Sequence, residues 1–242
     1  MIDLRLGDAY EGLKTIPDNS VNLIVIDPPY MMDVYGGNPK HKKGECFQKC
    51  RMHKGLWSNE KGLRSGFDFE FCLQEFERIQ PFKNMYIFCN AKLLQYMLSV
   101  LYARNITAEI LCWQKVNPMP SFNLHYLNDI EYCLFVCDNK STLDFGENVM
   151  ASGRASHFFN YPIGNGKYTT HPTEKPLKWV ENLVLNSSRE GETVLDCFAG
   201  SGTTAHVCKK HNRNFIGFEY SEEYYKMAIK RLNNDVQGVL FA

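Results

Sequence analysis

Four short apolar segments of this chain each end in an acidic residue, and this pattern constrains the fold most. The acids are Asp8, Asp27, Asp196 and Glu219, and each follows an apolar run of the length of a β-strand. In an open α/β sheet, ligands bind beyond the carboxyl ends of the strands, so four acids at these ends would line one pocket. Such acceptors suit a ligand rich in hydroxyl and amino groups, and they do not suit a phosphate.

Apolar runs and helical periodicities alternate along the chain. Strands are predicted near 2–7, 21–27, 84–90, 108–113, 131–137, 193–196 and 214–219. Helices are predicted at 68–80, 91–103, 174–187, 201–211 and 221–233. This alternation predicts an α/β fold with a doubly wound, mostly parallel sheet. A chain of 242 residues without a Pro/Gly/Ser-rich linker is expected to form a single domain, 1–242, with long loop insertions at about 31–66 and 138–173.

The charge is balanced overall but not locally. The chain holds 27 Lys and Arg against 27 Asp and Glu, so net charge does not point to a polyanionic partner. Residues 40–64, however, contain eight Lys or Arg and two Glu, a net charge of +6. A solvated loop explains this window most simply, and contact with a nucleic acid is the alternative.

The nine cysteines are scattered over predicted strands and helices, which is typical of reduced intracellular thiols. The spacing of Cys46, Cys50 and His53 matches no standard zinc pattern, so no metal site is predicted. The sequence shows no secretory leader and no apolar run near the ~18 residues of a membrane span. We therefore expect a cytoplasmic protein without membrane contact.

A glycine-rich turn follows the third of the four acids. The small residues Ala199, Gly200, Ser201 and Gly202 let the backbone approach a ligand closely before a helix begins near Thr203. The Gly-Lys-Ser/Thr of a phosphate-binding loop is absent.

The last acid adds to this signal. Glu219 lies 23 residues after Asp196, the spacing at which an acid accepts hydrogen bonds from ribose hydroxyls in Rossmann-type sites. A carboxylate there would also stabilise the start of the following helix, and the two roles are compatible. The pair indicates a cofactor that contains a nucleoside.

The turn Asp27-Pro28-Pro29-Tyr30 is more specific. Two prolines fix φ and remove two backbone donors, so the turn presents a carboxylate, the Pro28 carbonyl and an aromatic ring. Acceptors without donors suit an amino group of a substrate, and Tyr30 could stack on the base that carries it. A rigid turn without chemistry is the alternative for this tetrapeptide alone.

Several segments together resemble one family. Asp27-Pro28-Pro29-Tyr30 resembles the catalytic motif of amino-methylating DNA methyltransferases, and residues 196–204, here called the glycine loop, resemble their S-adenosylmethionine loop. Residues 171–176 resemble the segment before that loop, and 113–120 and 131–135 resemble further family blocks. The resemblance spans nearly the whole chain, and its motif order is similar to the beta class. It implies a Rossmann-like methyltransferase sheet with circularly permuted motif order, in which the strand ending at Asp8 lies beside the one ending at Glu219.

The resemblance also implies roles for single residues. Asp27, Pro28, Pro29 and Tyr30 would form the catalytic motif, with Asp27 facing both the methyl donor and the target amine. S-adenosylmethionine would be held by Asp8 near its adenine, by Glu219 on its ribose, and elsewhere by Asp27, His171, Thr173, Lys175, Asp196, Phe198, Ala199, Gly200, Ser201, Gly202 and Thr203.

The implied function is methyl transfer to the N6 amine of a flipped-out adenine in DNA. Asp at the first motif position favours adenine, because the cytosine-N4 enzymes of the family usually carry Ser there. Two alternatives stay open: an N4-cytosine DNA methyltransferase, and a catalytically silent nucleic-acid-binding subunit.

Double-stranded DNA is the partner this function requires, and the two long insertions would hold it. Candidate DNA-binding residues, chosen by side-chain chemistry, are Lys40, Lys42, Lys43, Arg51, Arg64 and Arg154, with Asn123, Asn160 and Asn165 as further candidate base readers. Residues 31–66 are expected to form a mobile lid that orders on DNA. A restriction endonuclease of the same system is a further candidate partner, and the sequence leaves monomer and homodimer open.

Overall fold

The computed structural model describes residues 1–29, 67–118, 126–138, 143–144, 156–162 and 174–234. Its strands are β1 (Ile2–Leu6), β2 (Leu23–Ile26), β3 (Asn84–Cys89), β4 (Glu109–Lys115), β5 (Ile130–Cys137), β6 (Phe158–Tyr161), β7 (Thr193–Asp196) and β8 (Asn214–Glu219). Its helices are α1 (Ala9–Lys14), α2 (Phe69–Ile79), α3 (Ala91–Ala103), α4 (Leu177–Ser187), α5 (Thr203–Lys210) and α6 (Glu222–Asn234). No helix in these ranges is long and apolar enough to cross a membrane.

The eight strands form one sheet in the order β1-β8-β7-β2-β3-β5-β4-β6. All neighbouring pairs are parallel except those of β5, which runs antiparallel to both β3 and β4. The predicted doubly wound, mostly parallel α/β sheet is confirmed. The expected adjacency of β1 and β8 is also confirmed, since Leu6 lies opposite Glu219 in their parallel register.

The strands bury side chains on both faces, as parallel strands between two helix layers do. All four residues of β2 are buried: Ile24 and Ile26 pack on one side, and Leu23 and Val25 on the other. The first side is covered by α1, α2 and α3, and the second by α4, α5 and α6. The core therefore consists of two apolar layers, one on each face of the sheet. The four acids of the sequence pattern lie outside these layers, at the ends of the strands.

Two elements differ from the sequence expectation. Helix α1 has only six residues, too few to show a helical period, and it is stabilised by its cap rather than by a long apolar face. Strand β6 lies inside the expected loop 138–173 at the edge of the sheet, beside β4. Its four residues alternate between exposed and half-buried, so no buried apolar run marks it in the sequence.

The reversal of β5 decides which residues meet at the functional edge. Because seven strands point one way, their carboxyl ends meet at one edge of the sheet, here called the carboxyl edge. Strand β5 runs against them, so its first residues, Ile130 and Glu131, lie at that same edge. An acid at the start of a strand thus joins the acids at the ends of the others.

Candidate functional site

The four acids that open the sequence pattern follow four consecutive strands of the sheet. In spatial order Asp8 follows β1, Glu219 ends β8, Asp196 ends β7 and Asp27 follows β2. They therefore lie side by side along the carboxyl edge, as the sequence predicts. Their chemical environments differ, however, and so do the tasks that each carboxylate can perform.

The glycine loop is held by the carboxylate of Asp196. Its Oδ1 accepts a hydrogen bond from the backbone N–H of Phe198 at 3.1 Å, and its Oδ2 accepts one from the Thr204 hydroxyl at 2.7 Å. Gly200 and Gly202 have φ of +53° and +76°, the left-handed region that glycine adopts without steric cost. The loop therefore turns sharply from β7 into α5, and both glycines are required by its geometry.

Asp196 is also expected from the family resemblance to contact the cofactor. The residue is 4% exposed, and both carboxylate oxygens accept hydrogen bonds from the loop itself. Burial, helped by the nearby charges of Asp27 and Glu219, raises the pKa of Asp196 to about 7 against these two hydrogen bonds. Asp196 therefore shapes the glycine loop, and its expected contact with the cofactor stays a prediction.

The raised pKa makes the stability of the ligand-free protein depend on pH. An unfolded aspartate has a pKa near 4, so between about pH 4 and 7 folding takes up a proton at Asp196. The contribution of this protonation to the free energy of unfolding is fully present below about pH 4 and is lost as pH rises through about 7. Relative to Asp196→Asn, the wild type should lose free energy of unfolding across that range in denaturant titrations. A difference that does not vary with pH would contradict the assignment.

Glu219 is a half-buried carboxylate that links two backbone segments. Its Oε2 accepts from the N–H of Gly200 at 2.8 Å, and its Oε1 accepts from the N–H of Ser221 at 2.7 Å. Burial raises the pKa of Glu219, and the hydrogen bonds from Ser221 and Gly200 oppose that rise. The carboxylate therefore fixes the glycine loop against the end of β8, and carboxylate oxygens can accept further hydrogen bonds from a ligand.

Asp8 is the N-cap of α1. Its Oδ1 accepts from the backbone N–H groups of Tyr10 and Glu11 at 2.9 and 3.1 Å. This cap satisfies two of the donors that every helix start leaves open, which explains why so short a helix forms. Asp8 stays partly exposed at the carboxyl edge, and its expected contact near the adenine of the cofactor stays a prediction.

A buried ion pair joins the glycine loop to two other segments. Nη1 of Arg231, near the end of α6, donates to Oε1 of Glu174 at 2.8 Å and to the Thr203 hydroxyl at 2.9 Å. The side chains of Arg231 and Glu174 are 3% and 1% exposed. Because breaking a buried pair leaves an uncompensated charge, this contact holds Glu174, Thr203 and α6 together firmly.

Asp27 lies directly against Lys175. Nζ of Lys175 donates to Oδ2 of Asp27 at 2.6 Å, and the Lys175 side chain is 6% exposed while that of Asp27 is 27% exposed. Pro28 is buried and Pro29 half-buried in the turn that follows. The carboxylate therefore faces outward from the carboxyl edge with an ammonium group behind it.

Two further charged residues complete this arrangement, and the sequence reasoning missed both. Glu131 lies with Oε2 3.4 Å from Nζ of Lys175, and its Oε1 is 2.8 Å from Nζ of Lys115. Lys115, Glu131, Lys175 and Asp27 thus alternate in sign, and they are here called the ion-pair chain. Both missed residues lie inside segments that resemble family blocks, yet Glu131 opens a strand and so lacked the signature of an acid at a strand end.

The charges of the ion-pair chain outweigh the cost of burial. Burial lowers the pKa of Lys175, but the charges of Asp27 and Glu131 raise it more, so it lies above its usual value. Burial raises the pKa of Glu131, but Lys175 and Lys115 bring it below its usual value. Both groups are therefore charged at neutral pH.

The remaining predicted site residues fall into two groups. Phe198 packs edge-on against Phe67 with ring centroids 5.6 Å apart, while Ala199 and Ser201 are buried in the glycine loop. Asn160 is exposed on β6. The others lie outside the described residues, namely Tyr30, Lys40, Lys42, Lys43, Cys46, Cys50, Arg51, His53, Arg64, Asn123, Arg154, Asn165, His171 and Thr173. The expected lid over 31–66 also lies outside them and stays a prediction.

Comparison with known proteins agrees with this geometry. Type II methyltransferase M2.LlaDCHI of Lactococcus lactis subsp. cremoris is 27% identical over 251 residues, covering 93% of this chain and 87% of that protein. M.HpaI of Haemophilus parainfluenzae, also a type II methyltransferase, is 29% identical over 263 residues, covering 98% and 76%.

Solved structures of methyltransferases are also similar to this chain. The M1.HpyAVI–SAM complex is 26% identical, covers 96% of this chain and 100% of its own, and has a TM-score of 0.66. The cytosine-N4-specific PvuII DNA methyltransferase, at 17% identity and a TM-score of 0.71, shares the fold. The profile of the DNA methylase family, which joins N6- and N4-directed enzymes, matches residues 21–230. The chain belongs to this family of amino-methylating DNA methyltransferases.

Proposed function

We propose that this protein transfers a methyl group from S-adenosylmethionine to the N6 amine of adenine in double-stranded DNA. The observation that carries the proposal is the outward-facing carboxylate of Asp27, which begins a donor-free Asp-Pro-Pro turn one strand away from the glycine loop. A methyl donor held at that loop and an amine held at Asp27 would meet at the carboxyl edge.

The residues present fit S-adenosylmethionine. The edge offers carboxylate acceptors at Asp8 and Glu219 for amino and hydroxyl donors, and a glycine loop that lets the backbone approach closely. No lysine stands in the loop to bind a phosphate. When bound, S-adenosylmethionine supplies an electrophilic methyl group and leaves as S-adenosylhomocysteine.

The Asp-Pro-Pro turn would bind and activate the target amine. Asp27 accepts a hydrogen bond from one N–H of the exocyclic amine, and the Pro28 carbonyl accepts one from the other. These bonds reduce the delocalisation of the nitrogen lone pair into the ring. The nitrogen then forms its new bond to carbon, and one N–H proton passes to Asp27 or to water. Adenine is favoured over cytosine because Asp, and not Ser, occupies the first motif position.

The base must leave the duplex to reach such an edge, so base flipping is part of the proposal. The basic residues of the two long insertions would contact the phosphates on either side. The names of M2.LlaDCHI and M.HpaI as type II methyltransferases support a companion restriction endonuclease. The protein is proposed to act as a single domain.

Expression in cells that lack DNA methyltransferases tests the function. Digested genomic DNA analysed by nucleoside mass spectrometry should contain N6-methyldeoxyadenosine, and cells that express Asp27→Asn serve as the control. N4-methyldeoxycytidine as the sole modified base would replace adenine with cytosine as the target. Binding of S-adenosylmethionine without any modified base would support the silent subunit instead.

A further inference from the structure

Lys175 is a buried cation whose position is unusual for a ligand-binding group. Its Nζ touches Oδ2 of Asp27 at 2.6 Å, lies 3.4 Å from Oε2 of Glu131, and sits 5.5 Å from the centre of the Phe88 ring. The aromatic face adds a favourable cation–π contact. The ammonium therefore lies between two carboxylates and an aromatic ring, and little of it reaches the solvent.

The exposures of the two partners decide which of them a substrate can reach. The Lys175 side chain is 6% exposed and that of Asp27 is 27% exposed, so a ligand at the carboxyl edge meets the carboxylate first. Among the described residues, Lys175 contacts Oδ2 of Asp27 and leaves Oδ1 for another donor. The ammonium thus fixes the rotation of the carboxylate.

Glu131 and Lys115 continue the arrangement behind Lys175. Glu131 is held at Oε1 by Lys115 at 2.8 Å, and its other oxygen faces Lys175. Lys115 and Glu131 lie on strands β4 and β5, Asp27 directly follows β2, and Lys175 lies just before α4, so the ion-pair chain is anchored to the sheet. A charge buried without partners is costly, and the alternation in sign gives each member a neighbour of opposite charge.

We propose that Lys175 and Glu131 are positioning residues for the methyl transfer: Lys175 fixes Oδ2 of Asp27 so that Oδ1 accepts from the target amine, and Glu131, held by Lys115, fixes Lys175. This inference rests on the proposed function. It assigns Lys175 to the catalytic carboxylate, whereas the family resemblance placed it among the residues that hold the cofactor.

The charges that face Lys175 predict a dependence on pH. The ionisable groups around it are Asp27 after β2, Glu131 on β5 with Lys115 of β4 behind it, and the thiols of Cys89 and Cys133. Burial raises the pKa of Cys89 to about 12 and that of Cys133 well above its usual value, so both thiols are neutral. Glu131 is then the one anion besides Asp27, among the described residues, that helps Lys175 keep its proton.

The central experiment is Glu131→Gln, which removes that charge and keeps the shape. Lys175 should then lose its proton at lower pH. In a plot of the single-turnover rate of methyl transfer against pH, the fall in rate on the alkaline side should therefore move by about one pH unit to lower pH. NMR titration of the Lys175 side chain in the ligand-free protein should shift in the same direction. An unchanged limb together with an unchanged titration would overturn the inference.

A second set of variants tests whether the two residues act in one chain. Lys175→Met should slow single-turnover transfer at saturating cofactor by about tenfold to a hundredfold, while affinity for S-adenosylhomocysteine stays within about threefold. Adding Glu131→Gln to Lys175→Met should change the rate little further, since Glu131 acts through Lys175. Lys175→Arg, which keeps the charge, should retain more activity. A loss of affinity beyond about tenfold with an unchanged saturated rate would assign the ammonium to the cofactor.

Glu181→Gln is the matched control. Glu181 is also a largely buried glutamate, paired at 2.8 Å with Lys210 and at 2.6 Å with His211, but these partners lie at the far end of α5 from the glycine loop. This variant should lose stability without any shift of the pH profile. Absence of wild-type transfer would contradict the proposed function itself, whereas wild-type transfer with an unmoved profile in Glu131→Gln contradicts only the positioning role.

Discussion

Replacing Asp27 by Asn should lower the single-turnover rate of methyl transfer by about a thousandfold, the size of effect seen when a group that stabilises a transition state is removed. The amide keeps the shape of the side chain but loses the negative charge. The amide NH2 group also donates hydrogen bonds, whereas the N–H groups of the target amine need acceptors. Tritiated methyl incorporation into DNA, with saturating S-adenosylmethionine, measures the rate.

The same substitution should leave cofactor affinity nearly unchanged, because the carboxylate acts on the amine and the glycine loop is held by other residues. Calorimetry with S-adenosylhomocysteine checks this. Asp18→Asn is the matched control, since it breaks an exposed ion pair with Arg78 and should leave the rate intact. A rate for Asp27→Asn within about tenfold of wild type would contradict the role of Asp27.

Gly202→Ala should disrupt the glycine loop. The residue has φ +76°, and a Cβ placed there would lie 2.8 Å from the Cβ of Ala228 on α6. The left-handed conformation costs about 1–2 kcal/mol for an L-residue, and overpacking adds about 1–3 kcal/mol. We expect the free energy of unfolding to fall by their sum, about 2–5 kcal/mol, and affinity for S-adenosylmethionine to fall with it.

Gly191→Ala separates these two costs. Gly191 has φ +81° but nothing within 4 Å of an added Cβ, so only the left-handed cost of about 1–2 kcal/mol applies. This variant should bind S-adenosylmethionine like the wild type. Denaturant unfolding and calorimetry on both variants provide the test. Equal losses of stability and of affinity in the two would show that contact with Ala228 is unimportant.

The sheet could be predicted because its signals are local and periodic. Strands of a parallel sheet are buried on both faces, so β2 and β7 show as apolar runs, and each is followed by a turn with a distinctive sequence. An acid at the end of such a run must lie at the carboxyl edge whatever the strand order. Neighbouring places for Asp8 and Glu219 followed from the permuted motif order, and the parallel pairing of β1 and β8 confirms it.

The ion-pair chain could not be predicted in this way. Strand direction is set by pairing across the sheet, and no local pattern reports that β5 runs antiparallel. Glu131 is therefore predicted only as the first residue of a strand, at the end opposite to the acids, and the reversal of β5 brings it to the carboxyl edge. The contact of Lys175 with Asp27 joins residues 148 positions apart, and only the folded chain shows which of several acids the lysine meets.

For Asp196, the sequence predicts the position of the residue but not the environment of its carboxylate. Its place at the end of β7 was predicted, but its environment depends on the backbone of the loop that follows. The loop folds back over the carboxylate, so that Phe198 and Thr204 take both oxygens. An acid at a strand end can therefore hydrogen-bond to the protein's own loop, and only the atomic positions show this.

The contact of Arg231 with Glu174 and Thr203 has a consequence for the whole of helix α6. Since one guanidinium binds both the start of α5 and the segment before α4, order in α6 and order in the glycine loop are thermodynamically coupled. Such coupling is reciprocal: whatever ligand rigidifies the loop must, by the same free energy, suppress fraying of α6. A helix that touches no reacting atom thereby becomes a reporter of occupancy at the carboxyl edge.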